Sequence, residues 1–384
     1  MNKSKLFKVL ALLVAASMVL AACGRGGGEA TEPAGGGPKI ASSGFECPEP
    51  EPRMEVTSKE LNVFVWTEYF TPEMLECFEL VYGVKINRDE YSSNEEMYAK
   101  LSAGGTNYDL VQPSDYMILL MVREGLIQEM DLTQLPNLKN IGKGYLDLPF
   151  DLGNKYTIPW LAGTDAIVYN SATVETPPTS WADLWNPEYA GRMVFLDDSR
   201  VTIGMTLLTL GYDFNSKNET ELREAEAKLK ELIPNVKIFD SDSPKTSLIA
   251  GDVDLGIVWT GEAFLAREEV STIEYVYPSE GAILWQDNWA LPVGASHLDA
   301  AYAWMNYLMQ GNIMWMVLSG FPYTNPNTAA LEFARTNHPD VYKAYAESPI
   351  TNPPEEAIAN AITIEDVGEA LPLYDEIWTK VKGQ

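Results

Sequence analysis

The chain has 384 residues, with 55 acidic against 27 basic side chains and a formal net charge of −28 at pH 7. That balance excludes nucleic acid as a partner, since phosphate binding needs clustered lysine and arginine; it leaves a cationic ligand open, although a solubilising surface accounts for most of the carboxylates. Roughly 330 residues remain after the N-terminal segments, more than one hydrophobic core usually serves, so two domains are expected.

At the N-terminus, Lys3, Lys5 and Lys8 lead into an apolar run from Val9 to Leu20 and then Leu20-Ala21-Ala22-Cys23. A basic start, a run too short to span a bilayer comfortably and small residues at its end make residues 1–22 an export signal rather than a transmembrane helix. Leu-Ala-Ala-Cys resembles the lipobox of bacterial lipoproteins, which implies a diacylated Cys23 as membrane anchor. Residues 23–58 are rich in glycine and proline and read as a flexible tether with a mean reach of roughly 30 Å. In an oxidising compartment Cys47 and Cys77 either pair or stay free, and spacing alone leaves both open.

The body opens with Leu61 to Val65, whose β-branched and aromatic content predicts a buried strand. Thr71 as cap and Pro72 at the first helical position predict a helix that Gly83 ends. A strand over Val84 to Asn87, a helix with Ser93 and Glu96 as capping box, a strand over Tyr108 to Gln112 and a helix opening at Asp115 follow. After Asp165 come strands at Met193 to Leu196, Val253 to Trp259 and Ile273 to Tyr277, and a helix over Glu221 to Ile233. Ser296 with Asp299 is expected to cap a helix to Gln310, and a last amphipathic helix carries Leu373, Ile377, Trp378 and Val381. Such alternation predicts an α/β fold with mostly parallel sheets, whose ligands bind at the carboxyl ends of strands.

At those strand ends, rings stand beside acids. Trp66, Tyr69, Tyr116, Trp259, Trp285 and Tyr323 fall where strand or helix gives way to loop, and Glu68, Asp115, Glu262 and Asp287 share the same short segments, with Asp198 ending another strand. Any one ring is an ordinary core residue. The pairing suits a polyamine, whose ammonium groups need carboxylates and whose methylene stem needs flat apolar walls.

The segments Trp66-Thr67-Glu68-Tyr69, Ser92-Ser93-Asn94-Glu95, Tyr108-Asp109-Leu110-Val111, Pro113-Ser114, Ser180-Trp181-Ala182-Asp183, Leu196-Asp197-Asp198, Ser241-Asp242, Trp259-Thr260-Gly261 and Pro278-Ser279-Glu280-Gly281 resemble, in the same order, those of bacterial spermidine/putrescine-binding proteins. This resemblance implies a two-lobed type II periplasmic-binding-protein fold that delivers its ligand to an ABC permease. Lobe one would comprise residues 59–164 and 288–331, and lobe two 165–287 and 332–384. Hinge strands would lie near Thr164-Asp165 and Asp287-Asn288, with a third crossing over residues 330–337. It further implies aromatic walls from Trp66, Tyr69, Tyr116, Trp259, Trp285 and Tyr323, hydrogen bonds from Thr67 and Ser114, and ammonium acceptors at Asp198 and Asp287. Two departures stand out: Val201 replaces a second acid and Ile364 a polar residue. Glu262, three residues after Trp259, is a candidate replacement acid, so the pocket is expected to favour a shorter diamine or another cation.

Other solutes on the same fold are the nearest alternatives. A sugar would want more amide and arginine groups, and ferric iron would want convergent ligands, whereas His297 and His338 lack ligand spacing. A secreted hydrolase with paired carboxylates is a further class. Without Gly-x-Ser-x-Gly, His-Glu-x-x-His or a phosphate-binding Gly-Lys loop, no enzyme is expected. The expectation is a monomer with no cofactor and no metal.

Overall fold

A computed structural model describes residues 37–383. The export signal, Cys23 and the tether up to residue 36 lie outside the described residues. The strand Glu60–Trp66 is buried without interruption from Leu61 to Val65, as a strand covered by helices on both faces must be. It pairs in parallel with Lys85–Tyr91 and with Leu110–Val111. Between the first two runs the helix Pro72–Tyr82, ended by Gly83 at φ 68°, where glycine carries no steric penalty. A second parallel set pairs Met193–Phe195 with Val236–Phe239 and Leu255–Trp259.

Two long strands join the sets. Thr157–Asn170 and Ile283–Pro292 run antiparallel from Thr157↔Ala290 to Asp165↔Ile283. Beyond that point Thr157–Asn170 pairs with Leu255–Trp259, starting at Asp165↔Trp259. The main path of the sheet is therefore Lys85–Tyr91, Glu60–Trp66, Leu110–Val111, Ile283–Pro292, Thr157–Asn170, Leu255–Trp259, Met193–Phe195, Val236–Phe239. Thr157–Asn170 changes partners at Asp165, and the register of Ile283–Pro292 shifts between Asp287 and Asn288. A bulge of that kind bends a strand and re-aims its side chains.

Three expectations need correction. Residues 38–58 are a docked strap, not a free tether: Cys47 is disulfide-bonded to Cys77, Tyr307 and Asn137 donate to the Pro48 and Glu51 carbonyls at 2.9 and 2.8 Å, and Arg53 donates to the Val81 carbonyl at 2.7 Å. Residues 39–47 turn back on themselves, with the Ala41 and Cys47 amides donating to the Phe45 and Lys39 carbonyls at 2.8 Å, and beyond them, where Pro48, Pro50 and Pro52 lack N–H donors, side chains of the body supply hydrogen bonds to the strap. Asp299 accepts from the Thr57 and Ser58 amides at 2.7 and 3.1 Å instead of forming a cap with Ser296, and His297 stands at the N-cap. The helices Thr328–Asn337 and Pro339–Glu347 pack on Gly311–Met314 and Val317–Gly320, so residues 332–347 belong with lobe one. The third crossing follows them. Ile350 packs beside Val168, Val194 and Leu248 of lobe two, and the Tyr277 hydroxyl donates to the Pro349 carbonyl at 2.7 Å.

Candidate functional site

A cavity of about 40 Å³ lies where the two lobes meet. Trp66, Thr67, Tyr69, Ser114, Tyr116, Asp198, Trp259, Trp285, Asp287 and Tyr323 line it, together with Asn94, Asp165 and Ile364. Larger grooves exist on the surface. One of about 670 Å³ adjoins the cleft through Tyr116, Trp285 and Ile364 and carries Asp115, Glu365 and Asp366, while Asp165, Asp198 and Asp287 are in the smaller cavity.

Each wall group is held by its element. Trp66, at the end of its strand, donates its indole N–H to the Gln112 carbonyl at 3.0 Å and meets Trp259 edge-on, ring centroids 6.2 Å apart. Tyr69, Tyr323 and Trp285 form a continuous run of rings, with centroids 5.5 and 5.4 Å apart. Two glycines admit these rings: a Cβ on Gly163 would lie 2.5 Å from Trp285, and one on Gly261 would lie 2.7 Å from Tyr323.

The acids are buried and braced by donors. Asp287, at the bulge, accepts from the Ser114 hydroxyl at 2.5 Å and from the Tyr69 hydroxyl. Ser114 is itself fixed by Asn94, whose amide donates to its hydroxyl at 2.9 Å and accepts from its backbone N–H at 3.0 Å. Asp198 caps the helix Ser199–Thr209, accepting from the Val201 amide at 2.9 Å. Asp165 accepts from the Trp285 indole N–H at 3.0 Å.

Burial lifts the Asp287 carboxyl to about 7, against the pull of the Ser114 and Tyr69 hydrogen bonds. Burial, then the neighbouring Asp198 charge, holds Asp165 well above the carboxylate range. Burial also raises Asp198, while the Val201 amide and the Arg200 charge oppose it. Behind the wall, Glu95 is pushed to about 7 by burial and by Asp198, and Asp115 to about 8 by burial. Arg200 does not line the cavity. Its guanidinium donates to Asn215 and to the Glu365 carbonyl at 3.0 and 2.9 Å and lies over the rings of Tyr116 and Tyr374.

One expected ligand group is elsewhere. Glu262 is 3% exposed and does not line the cavity. Its carboxylate accepts from the Lys245 ammonium at 3.1 and 3.2 Å, so a lysine of the same lobe already answers its charge. Asp165 and Asn94 were missed as wall groups. An aspartate inside the apolar stretch Ile158 to Val168 was the available signal for the first, because an acid has no place in a buried strand unless something pairs with it. The departures Val201 and Ile364 are both buried, and Ile364 lines the cavity.

Among the described residues such a cavity offers three carboxylates, flat rings and no cationic side chain on its wall. It can neutralise ammonium groups and sandwich the methylenes between them.

Residues 73–349 match the family model for bacterial extracellular solute-binding proteins. Over 324 residues the chain is 39% identical to the spermidine/putrescine-binding periplasmic protein of Escherichia coli (strain K12), covering 84% of this chain and 91% of that protein. The solved structure of the spermidine/putrescine ABC transporter substrate-binding protein PotD from Streptococcus pneumoniae superposes with a TM-score of 0.68 at 32% identity, covering 85% of this chain and 99% of that one. The Tp0655 (TpPotD) lipoprotein of Treponema pallidum superposes with a TM-score of 0.72 at 28% identity, covering 85% and 100%. With this fold, this cleft and these relatives, the chain belongs to the bacterial extracellular solute-binding protein family.

Proposed function

We propose that the chain is an exported, lipid-anchored receptor that captures a polyamine of the putrescine or spermidine type in the interlobe cleft and delivers it to the permease of an ABC importer. The observation that carries this reading is the cavity wall: Asp165, Asp198 and Asp287 stand among Trp66, Trp259, Trp285 and Tyr323, with no cationic side chain among the described residues that line it. Buried carboxylates are costly until a charge answers them, so an ammonium ligand supplies what the wall lacks. The names of the relatives from Escherichia coli and Streptococcus pneumoniae support the same ligand class. Valine at 201 and isoleucine at 364 favour the shorter diamine, because neither can accept from a third ammonium. Closure of the lobes by bending at Asp165 and at the Asp287 bulge buries the ligand and presents one closed surface to a permease. Anchoring through Cys23 keeps the receptor at the membrane, and the Treponema lipoprotein of the same fold supports that placement.

A thermal-shift series on the chain beginning at Cys23 tests the ligand class. Putrescine or spermidine at a hundredfold excess over Kd stabilises the folded protein by about 2.7 kcal/mol, several degrees in melting temperature. No shift with either amine, together with a shift by a sugar or a metal ion, overturns the reading.

A further inference from the structure

We propose that Lys245 is a specificity-determining residue: an ammonium belonging to the protein itself that occupies the carboxylates beyond Trp259 and Tyr323, clasps the two lobes and confines the cleft to diamines. The inference rests on the polyamine reading above.

Glu68 comes from lobe one, in a turn at φ 54° between Thr67 and Tyr69, both of which line the cavity. Glu262 comes from lobe two, in the first turn of the helix Thr260–Glu269 that Trp259 opens. Lys245, at the start of the helix Lys245–Ile249, donates from its ammonium to Glu68, to both oxygens of Glu262 at 3.1 and 3.2 Å and to the Ser243 hydroxyl at 2.9 Å. Its backbone N–H also reaches Glu262, at 3.2 Å. This cluster abuts the cavity, because Gly261, next to Glu262, touches the ring of Tyr323.

A primary ammonium on a four-methylene stem is chemically the end of a polyamine. Lys245 therefore stands in a place suited to a ligand's outermost amine, with its carboxylates already taken. A triamine extended past Tyr323 must displace it and leave its charge unanswered. Val201 and Ile364, both buried, add no acceptor near Asp198. Because Glu68 and Lys245 belong to different lobes, their contact forms as the cleft closes and is broken when an over-long ligand props it open.

Calorimetric titration of putrescine and spermidine into the wild-type chain and Lys245→Met tests this. The wild type is expected to bind putrescine about tenfold more tightly than spermidine. In Lys245→Met, putrescine weakens a few-fold and the preference shifts toward spermidine by about tenfold, as Glu68 and Glu262 are released to a third ammonium. Should Lys245→Met be too unstable to titrate, the double variant K245Q/E262Q removes the buried charge pair together and leaves Glu68 to produce the same direction of shift. Spermidine bound by the wild type as tightly as putrescine overturns the proposal whatever the variants do, and so does a folded variant whose preference stays within twofold of wild type. Binding of neither amine by the wild type is a different failure, that of the polyamine reading.

Discussion

Replacing Asp287 by asparagine removes a ligand acceptor and a source of pH dependence in one step. The carboxyl is 3% exposed and is lifted by burial from its ordinary 3.8 to about 7. That difference corresponds to roughly 4 kcal/mol against the charged form. Because the folded state holds this proton more tightly than the unfolded one, stability of the ligand-free protein falls as pH rises from about 4 to about 7. Glu95 and Asp115, raised to about 7 and about 8, act in the same direction. An ammonium ligand favours the ionised carboxylate, so putrescine binding releases a proton from Asp287 and tightens with rising pH, by at most about tenfold per unit for each carboxyl that ionises. Asp287→Asn is expected to weaken binding by about 2 to 4 kcal/mol, or roughly 30- to 1,000-fold, to flatten that pH profile and to raise the ligand-free melting temperature at pH 8 relative to wild type. Titration calorimetry from pH 5 to pH 8 with parallel thermal melts measures all three. Affinity within threefold of wild type, or an unchanged pH profile, would show that Asp287 is not the acceptor.

Gly163→Ala places a methyl group 2.5 Å from the Trp285 ring, and overpacking of that kind costs about 1 to 3 kcal/mol. The ring and its hydrogen bond to Asp165 shift, so a tenfold or greater loss of putrescine affinity with altered tryptophan fluorescence is expected, and unchanged affinity would remove Trp285 from the wall. Cys23→Ser is expected to abolish lipidation and move the chain from the detergent phase to the aqueous phase on phase partitioning. Unchanged partitioning would contradict the anchor.

Trp66, Tyr69, Tyr116 and Trp259 were legible because they stand at or just beyond predicted strand ends beside acids, and the rule that ligands sit at carboxyl ends of strands brings such ends together, whereas Trp285 lies inside the strand Ile283–Pro292 and, like Tyr323, follows no predicted strand. Ser114 follows a predicted strand end in the same way, whereas Asp287 lies inside the strand Ile283–Pro292 and its role was implied by the family resemblance. Asp165 was not legible, because its strand, Thr157–Asn170, contains Pro159 and Gly163 and is buried on both faces, so it shows no alternation to mark it. The residue stood out only as a hinge. Glu262 misled for a different reason: its partner Lys245 lies 17 residues earlier, on a separate short helix, and no local pattern announces a pairing set by tertiary structure. Composition misled at the strap as well. Glycine and proline suggest a free chain, but the bond between Cys47 and Cys77 and the donors from Tyr307, Asn137 and Arg53 fix residues 38–58 on the body. Boundaries near the third crossing depend on which lobe a helix packs against, and the polarity of Thr328–Asn337 fits either.

A crystal structure of the chain grown with putrescine addresses the central claim most directly. One ammonium is expected within hydrogen-bonding distance of Asp287 and the other of Asp198, with the methylenes lying between the rings of Trp66, Trp259 and Trp285. Putrescine bound anywhere outside this cleft, or a closed cleft filled by a solute without a positive charge, would contradict it.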